Sequence, residues 1–275
     1  MTDSSGPDMP SILESSVDVW HNADSDSHVE PDLETFHPSQ LASECKRNPL
    51  VSKLGLDDNS DAAGYFLRGV LIHEFFEEWV GDGPVADELD VDLSNIEFEK
   101  ELEADFDDIL LTGRCDIIDT ENDIVYDIKV RGGWHKFNPP VDRHLDQLHA
   151  YMGLAGANEG VVIYVNAKDP ADIRTWPPQS DGRDTFEFDP ERFMGLLEDA
   201  REIRQALSNT GMPTSKHEIP YDKCGCFSCQ QEDLSFPADD ADIVTKPLPA
   251  RHDNAGTSGE SSGDGGSSSN GSAPA

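Results

Sequence analysis

Asp116, Asp127 and Lys129 are the residues whose types and spacing suit chemistry. In Val125-Tyr126-Asp127-Ile128-Lys129-Val130 a carboxylate and an ammonium stand two apart in an otherwise apolar run, and Gly113-Arg114-Cys115-Asp116 carries a second carboxylate into a similar run. Charges embedded in segments that read as buried strands need a partner or a task. Two hard carboxylates suit Mg2+ or Mn2+, and an ion so held can bind a scissile phosphate and acidify its water. The ammonium would orient the attacking water or stabilise charge on the phosphoryl oxygens. The chemistry indicated is metal-assisted hydrolysis of a phosphodiester. An isolated Asp-x-Lys, however, is most often a solvated strand edge in so acidic a chain, so the weight falls on the elements that position the three residues.

Two β-branched runs, 109–119 and 123–130, flank Thr120-Glu121-Asn122 and predict a hairpin. A turn centred near Glu121 sets Asp116 beside Tyr126 and Asp127. Strand alternation then puts Asp127 and Lys129 on one face and turns Ile128 toward the core. Upstream, a strand is expected over 96–103 and a helix over 62–80. In that helix Leu67, Val70, Leu71, Phe75 and Trp79 recur at spacings of three and four and read as a buried stripe, with His73 and Glu77 on another face. A short helix over 40–45, opened by Ser39, precedes it. Downstream come a helix over 141–155 in which Gln147 and Tyr151 share a face, a buried strand over 160–167 and a short strand over 185–188. Asp189-Pro190 then caps a long helix to about residue 208. This order predicts an α/β fold with a mixed sheet flanked by helices.

Composition narrows the setting. Acidic residues outnumber basic ones 56 to 20, for a net charge of −36. Such a surface suits molar salt, where the Debye length falls to about 3 Å, and predicts a halophilic, archaeal origin. Electrostatic affinity for phosphate collapses in that salt, so a basic patch is no test for nucleic acid here. The stretch between Ile128 and Val141 is nevertheless free of acidic residues and carries Lys129, Arg131, His135 and Lys136 interleaved with Trp134 and Phe137. Cations among aromatics can contact phosphates and stack on unpaired bases; the alternative is a solvated loop with a packed Trp. Residues 1–35 are acidic and Pro/Ser-rich and 236–275 are rich in Gly and Ser, so both ends are expected to be disordered around one folded domain over 36–235. No signal peptide or membrane-length apolar run is present, which predicts a cytoplasmic protein without a membrane partner. In that compartment five cysteines favour free thiols, metal ligation or catalysis over disulfides.

Taken in order, Gly69-x-x-x-His73, Gly113-x-x-Asp116, Asp127-x-Lys129 and Gln147-x-x-x-Tyr151 resemble the PD-(D/E)XK nucleases, RecB-like branch, over about residues 40–229. The resemblance implies a restriction-endonuclease-like fold and a Mg2+- or Mn2+-dependent deoxyribonuclease, working as an exonuclease on single-stranded or frayed DNA. His73, Asp116, Asp127 and the carbonyl of Ile128 would be the metal ligands, and the imidazole would tilt preference toward Mn2+. Lys129 would be the catalytic lysine, with Gln147 and Tyr151 positioning DNA and that lysine. The pathway implied is DNA repair or CRISPR spacer acquisition, with a helicase or CRISPR integration proteins as partners. A non-cutting DNA-binding metal-cluster scaffold is the alternative.

Cys45 before this core and Cys224, Cys226 and Cys229 after it resemble the iron-sulfur members of the branch, the CRISPR-associated RecB-type exonucleases and AddB-type subunits. In them four cysteines hold a [4Fe-4S] cluster that ties the chain's ends together. The trio here, Cys-x-Cys-x-x-Cys, is tighter than the family's spacing, so Zn2+ on the same thiolates is the alternative. Cys115 is expected to be a small core residue.

Overall fold

The computed structural model describes residues 33–56, 63–81, 92–178, 184–210, 217–226 and 229–230, with single positions between these and up to Leu234. All of them belong to one compact unit, Met1–Asp242. The acidic arm and the Gly/Ser tail expected from composition lie outside the described residues, except for the arm's last three residues, Leu33, Glu34 and Thr35, of which Thr35 already belongs to a strand.

Among the described residues seven strands form one mixed sheet. They are β1 (Thr35–Phe36), β2 (Ile96–Phe106), β3 (Ile109–Asp119), β4 (Ile124–Arg131), β5 (Glu159–Asn166), β6 (Asp169–Trp176) and β7 (Phe186–Glu187). The helices described over their whole length are α1 (Pro38–Leu41), α2 (Arg47–Lys53), α3 (Ala63–Phe76), α4 (Asp142–Ala155) and α5 (Pro190–Thr210), with a π-helical extension of α3 over Glu77–Gly81. The helix–strand–hairpin–helix–strand order matches the reading of the sequence. Helix α1 begins one residue before Ser39, with His37 as N-cap and its backbone N–H donating to Gln40 Oε1 at 3.1 Å. Cys45 therefore falls in the turn between two helices and not at a helix end. Asp189 caps α5 as expected, its Oδ1 accepting the N–H groups of Glu191 and Arg192 at 2.9 and 3.2 Å.

Strand β3 organises the sheet. Along one edge it pairs antiparallel with β2 over nearly its whole length. Along the other, β1 pairs with Leu110 and Leu111, and β4 pairs only with 117–119. Residues 112–116 are thus left without a strand on that edge. His37 Nδ1 lies 2.9 Å from the carbonyl oxygen of Thr112, and the Pro38 and Tyr151 rings close over Gly113. A Cβ at Gly113 would stand 2.8 Å from Pro38 and 3.1 Å from Tyr151, so this position excludes a side chain. The split edge is where Asp116 sits.

Helix α4 is shared by two core clusters. Ala150 and Leu154 pack with Phe36, Leu50, Leu111 and the inward stripe Phe193, Leu197, Ala200, Ile203 and Leu207 of α5. Leu145, Leu148, Tyr151 and Met152 pack with Cys115, Val125, Val162 and Tyr164. Cys115 is fully buried, as expected. The stripe predicted for α3 is not a core stripe: Val70 is exposed, and Leu71, Phe75 and Trp79 are each about half exposed. Phe75 and Trp79 stack at 6.3 Å on that outer face. Regular spacing establishes that residues share a face, and the tertiary packing decides which face is covered.

Candidate active site

The hairpin delivers its three residues together. Asp127 is almost fully buried, and its Oδ1 accepts a hydrogen bond from Lys129 Nζ at 2.6 Å. Its Oδ2 is buried without a hydrogen-bond partner. An orphaned carboxylate oxygen is costly. Burial, with the neighbouring charge of Asp116, lifts the Asp127 carboxyl to about 6 against the pull of Lys129. Asp116 lies where β3 and β4 diverge, and its Oδ2 accepts the backbone N–H of Ile128 at 2.5 Å. A carboxylate thus takes the place of a ladder bond and leaves Oδ1 free for other partners.

That Oδ1 lies 3.3 Å from His73 Nδ1, which is also 3.0 Å from Glu99 Oε1. Burial opposes the charged imidazole, but hydrogen bonds and charge from Asp116 and Glu99 outweigh it and hold His73 up to about 10. Glu99 is in turn held by Arg114 Nε at 2.8 Å. Its backbone has φ +47°, a left-handed conformation that side-chain-bearing residues seldom adopt. The β2–β3 ladder skips there, Phe98 pairing with Ile117 and Lys100 with Cys115, so Glu99 stands opposite Asp116. Glu99 is the residue the sequence reading missed. It stands among several acids in Glu97-Phe98-Glu99-Lys100-Glu101, and nothing in that spacing marks it.

His73, Glu99 and Asp116 offer donor atoms within 4.8 Å of one another. Asp127 lies outside that trio, and its unpartnered oxygen fits an electropositive ion. The donor set of carboxylates and one imidazole suits a divalent cation. Such an ion, when bound, supplies Lewis-acid polarisation of a phosphate oxygen and acidification of water.

Tyr151 is buried beside Gly113, and Gln147, one turn before it on α4, lines the cleft above. Burial and the charges of Asp116 and Asp127 push its phenol far above the ordinary range, so it stays protonated. His144, one turn earlier, lies 3.1 Å from Tyr164 Oη, and burial with the cations Lys129, Arg143 and Arg131 depresses it to about 3.

Two clefts of about 530 and 520 Å3 meet at Ser39, Gly69 and His73. Their charges differ. One is lined by Lys129, Arg131 and Arg143 with the single acid Glu44, and the other by Glu74, Glu77, Glu99 and Asp116 with Arg114. Gly69 leaves the junction open, because nothing lies within 4 Å of where its Cβ would be.

In the acid-free stretch after β4 the aromatics are largely engaged. Phe137 packs edge-on to Tyr164 at 4.7 Å with the Arg131 guanidinium 4.6 Å from its ring centre. The Trp134 indole donates to Asp172, with Arg174 4.3 Å from its ring centre. His135 and Lys136 remain exposed.

At the far end of α1 the thiols of Cys45, Cys224, Cys226 and Cys229 also converge within 4.8 Å. Residues far apart in the chain are thereby joined as the sequence reading expected.

No helix among the described residues is long and apolar enough to cross a membrane. No curated protein matches this chain. Solved structures that overlap it include SSO0001, at 20% identity and TM-score 0.47 over 72% of this chain and 87% of that one, and a phage-related exonuclease from Haemophilus somnus 129PT, at 14% and 0.32 over 64% and 96%. The family model of the PD-(D/E)XK nuclease superfamily matches residues 84–233, the segment that carries Glu99, the split hairpin, α4 and the cysteine trio. By that match over more than half its length, the chain belongs to the PD-(D/E)XK nuclease superfamily.

Proposed function

We propose that the protein is a Mg2+- or Mn2+-dependent deoxyribonuclease that removes nucleotides from the ends of single-stranded or frayed DNA. The observation that carries this reading is Asp127, a buried carboxylate with one oxygen held by Lys129 and the other without a partner, set beside Asp116 and His73. His73, Asp116, Asp127 and the carbonyl of Ile128 are the ligands of the ion, and Glu99 joins them through its place against His73 and Asp116. The imidazole favours Mn2+ among hard cations. Lys129 keeps Asp127 ionised and places positive charge where the phosphoryl oxygens develop negative charge. Gln147 and Tyr151 position the strand and the lysine.

The unequal clefts support action at an end. A phosphate backbone is favoured along Lys129, Arg131 and Arg143, and a backbone continuing past His73 would meet Glu74, Glu77 and Glu99. The strand therefore stops near the ion. Repair or capture of CRISPR spacers in the cytoplasm of a halophile, with a helicase or integration proteins, is the setting this activity suits. The four thiols form a second, structural metal centre, a [4Fe-4S] cluster in the related nucleases or zinc.

Linear and circular labelled single strands incubated with Mn2+ at high salt test the proposal, with Asp127→Ala and Lys129→Ala beside the parent. Linear strands should be lost only with the parent protein, and circles should survive. A parent as inert as its variants while DNA is still bound would leave a non-cutting scaffold. Circles cut as fast as linear strands would remove the end-directed part.

A further inference from the structure

The four-cysteine centre can be taken further, because its sulfurs are too close together for the cluster that related nucleases carry. Cys45 Sγ lies 3.6 Å from Cys229 Sγ and 3.7 Å from Cys226 Sγ, and Cys224 Sγ lies 3.7 Å from Cys229 Sγ. All four fall within 4.8 Å of one another. Thiolates about 2.3 Å from a single zinc occupy the corners of a tetrahedron with an edge of about 3.8 Å. A four-iron cubane instead gives each thiolate its own iron and fills the space between with irons and sulfides, so its thiolates stand much farther apart. The sulfur spacing meets the first requirement and misses the second.

The turn that carries the trio is held by its own backbone: the N–H of Cys226 donates to Cys224 Sγ at 3.4 Å. The compact Cys-Gly-Cys turn allows this. Gln230 fixes the turn, donating from Nε2 to the Gly225 carbonyl at 2.6 Å and from its backbone N–H to the Cys226 carbonyl at 3.1 Å.

We propose that Cys45, Cys224, Cys226 and Cys229 bind one tetrahedral Zn2+ in place of an iron-sulfur cubane, and that this ion fastens the wall of the DNA cleft. Ser43, Glu44 and Asn48, which line the cationic cleft, flank Cys45 directly. The centre ties that wall to the segment after α5, across 184 positions of chain. Zinc itself has no redox chemistry, so the ion, unlike an iron-sulfur cluster, does not change oxidation state in air.

The test is metal and sulfide analysis of the full chain purified both in air and without oxygen, followed by exchange with Co2+. One zinc per chain, no iron or labile sulfide in either preparation, and a cobalt spectrum with tetrahedral d–d bands and strong thiolate-to-cobalt charge transfer are expected. Cys115→Ser and Asp116→Ala should keep the zinc, the second separating this centre from the oxygen-rich one at His73. Cys224→Ser should lose the tetrathiolate spectrum, and because Cys224 is exposed its loss leaves the core intact. Iron and sulfide at about four each per chain in the anaerobic preparation would overturn the proposal. So would a parent chain that neither contains zinc nor takes up Co2+. None of these readouts depends on DNA cleavage, so failure here and failure of the nuclease reading are distinguishable.

Discussion

Lys129 and Asp127 form a pair in which neither residue is comfortable alone. Removing one member of a buried ion pair leaves the other charge uncompensated, at a cost of about 3–5 kcal/mol. Lys129→Ala is therefore expected to lower unfolding stability by about that much, and adding Asp127→Asn should return most of it, as chemical denaturation of the four proteins of the cycle would reveal. Both variants should lose cleavage by about a hundredfold or more. His73 sets the pH behaviour. Its folded value near 10 exceeds its ordinary 6.5, so in the metal-free chain the stabilisation from its contacts with Asp116 and Glu99 is complete below about 6.5 and is lost as pH rises through about 10. A divalent ion needs the neutral imidazole and must displace that proton. Between pH 7 and 9 Mn2+ affinity should rise about tenfold per unit, with release of about one proton on binding, measurable by calorimetry in buffers of different ionisation enthalpy. Affinity that stays flat across this range would mean that His73 is not a ligand.

Among the elements, β3 and α3 carry the most consequence. Gly113 lies in the unpaired edge of β3, under Pro38 and Tyr151. Gly113→Ala should destabilise by about 1–3 kcal/mol through overpacking and displace the Tyr151 ring that closes over β3, lowering cleavage as well. Gly69 differs because its Cβ direction is open. Gly69→Leu should leave the melting temperature unchanged or higher, since a helix gains about 0.5–1 kcal/mol on losing an interior glycine, while cleavage falls because the side chain fills the junction of the two clefts. The exposed face of α3 gives a contrasting expectation. Phe75→Ser and Trp79→Ser should each change stability by no more than about 0.5 kcal/mol, the surface range, whereas the buried stripe read from spacing would demand about 3–5.

At the level of the whole molecule, the charge excess governs conditions. With 56 acids and 20 bases, self-repulsion opposes the folded state and weakens as salt shortens the screening length from about 10 Å at 0.1 M to about 3 Å at 1 M. Thermal unfolding followed by circular dichroism should therefore show a midpoint that climbs between about 0.1 and 1 M KCl. A falling midpoint would remove the halophilic reading.

The sequence by itself determined the elements and the hairpin chemistry, because both are local. Alternation over residues 124–131 and the short turn fix which of Asp127, Ile128 and Lys129 share a face, and the Asp189-Pro190 cap marks the start of α5 without help from the rest of the chain. The ordered motifs from His73 to Tyr151 likewise depend on spacing, so the family was legible in them. Other features belong to the tertiary structure alone. Glu99 enters the site through a left-handed residue opposite Asp116, and no property of an acid among acids announces that. The outward face of α3 could not be read either, since an apolar stripe is the same string whether a sheet or solvent lies against it. The opposite charges of the two clefts arise from residues brought together from the α1–α2 turn, α3 and its extension, β2, β3, β4 and α4. Likewise, four cysteines in a sequence state only that soft ligands exist. Their separation, which decides between one ion and a cluster, is a distance across 184 positions that only the folded chain sets.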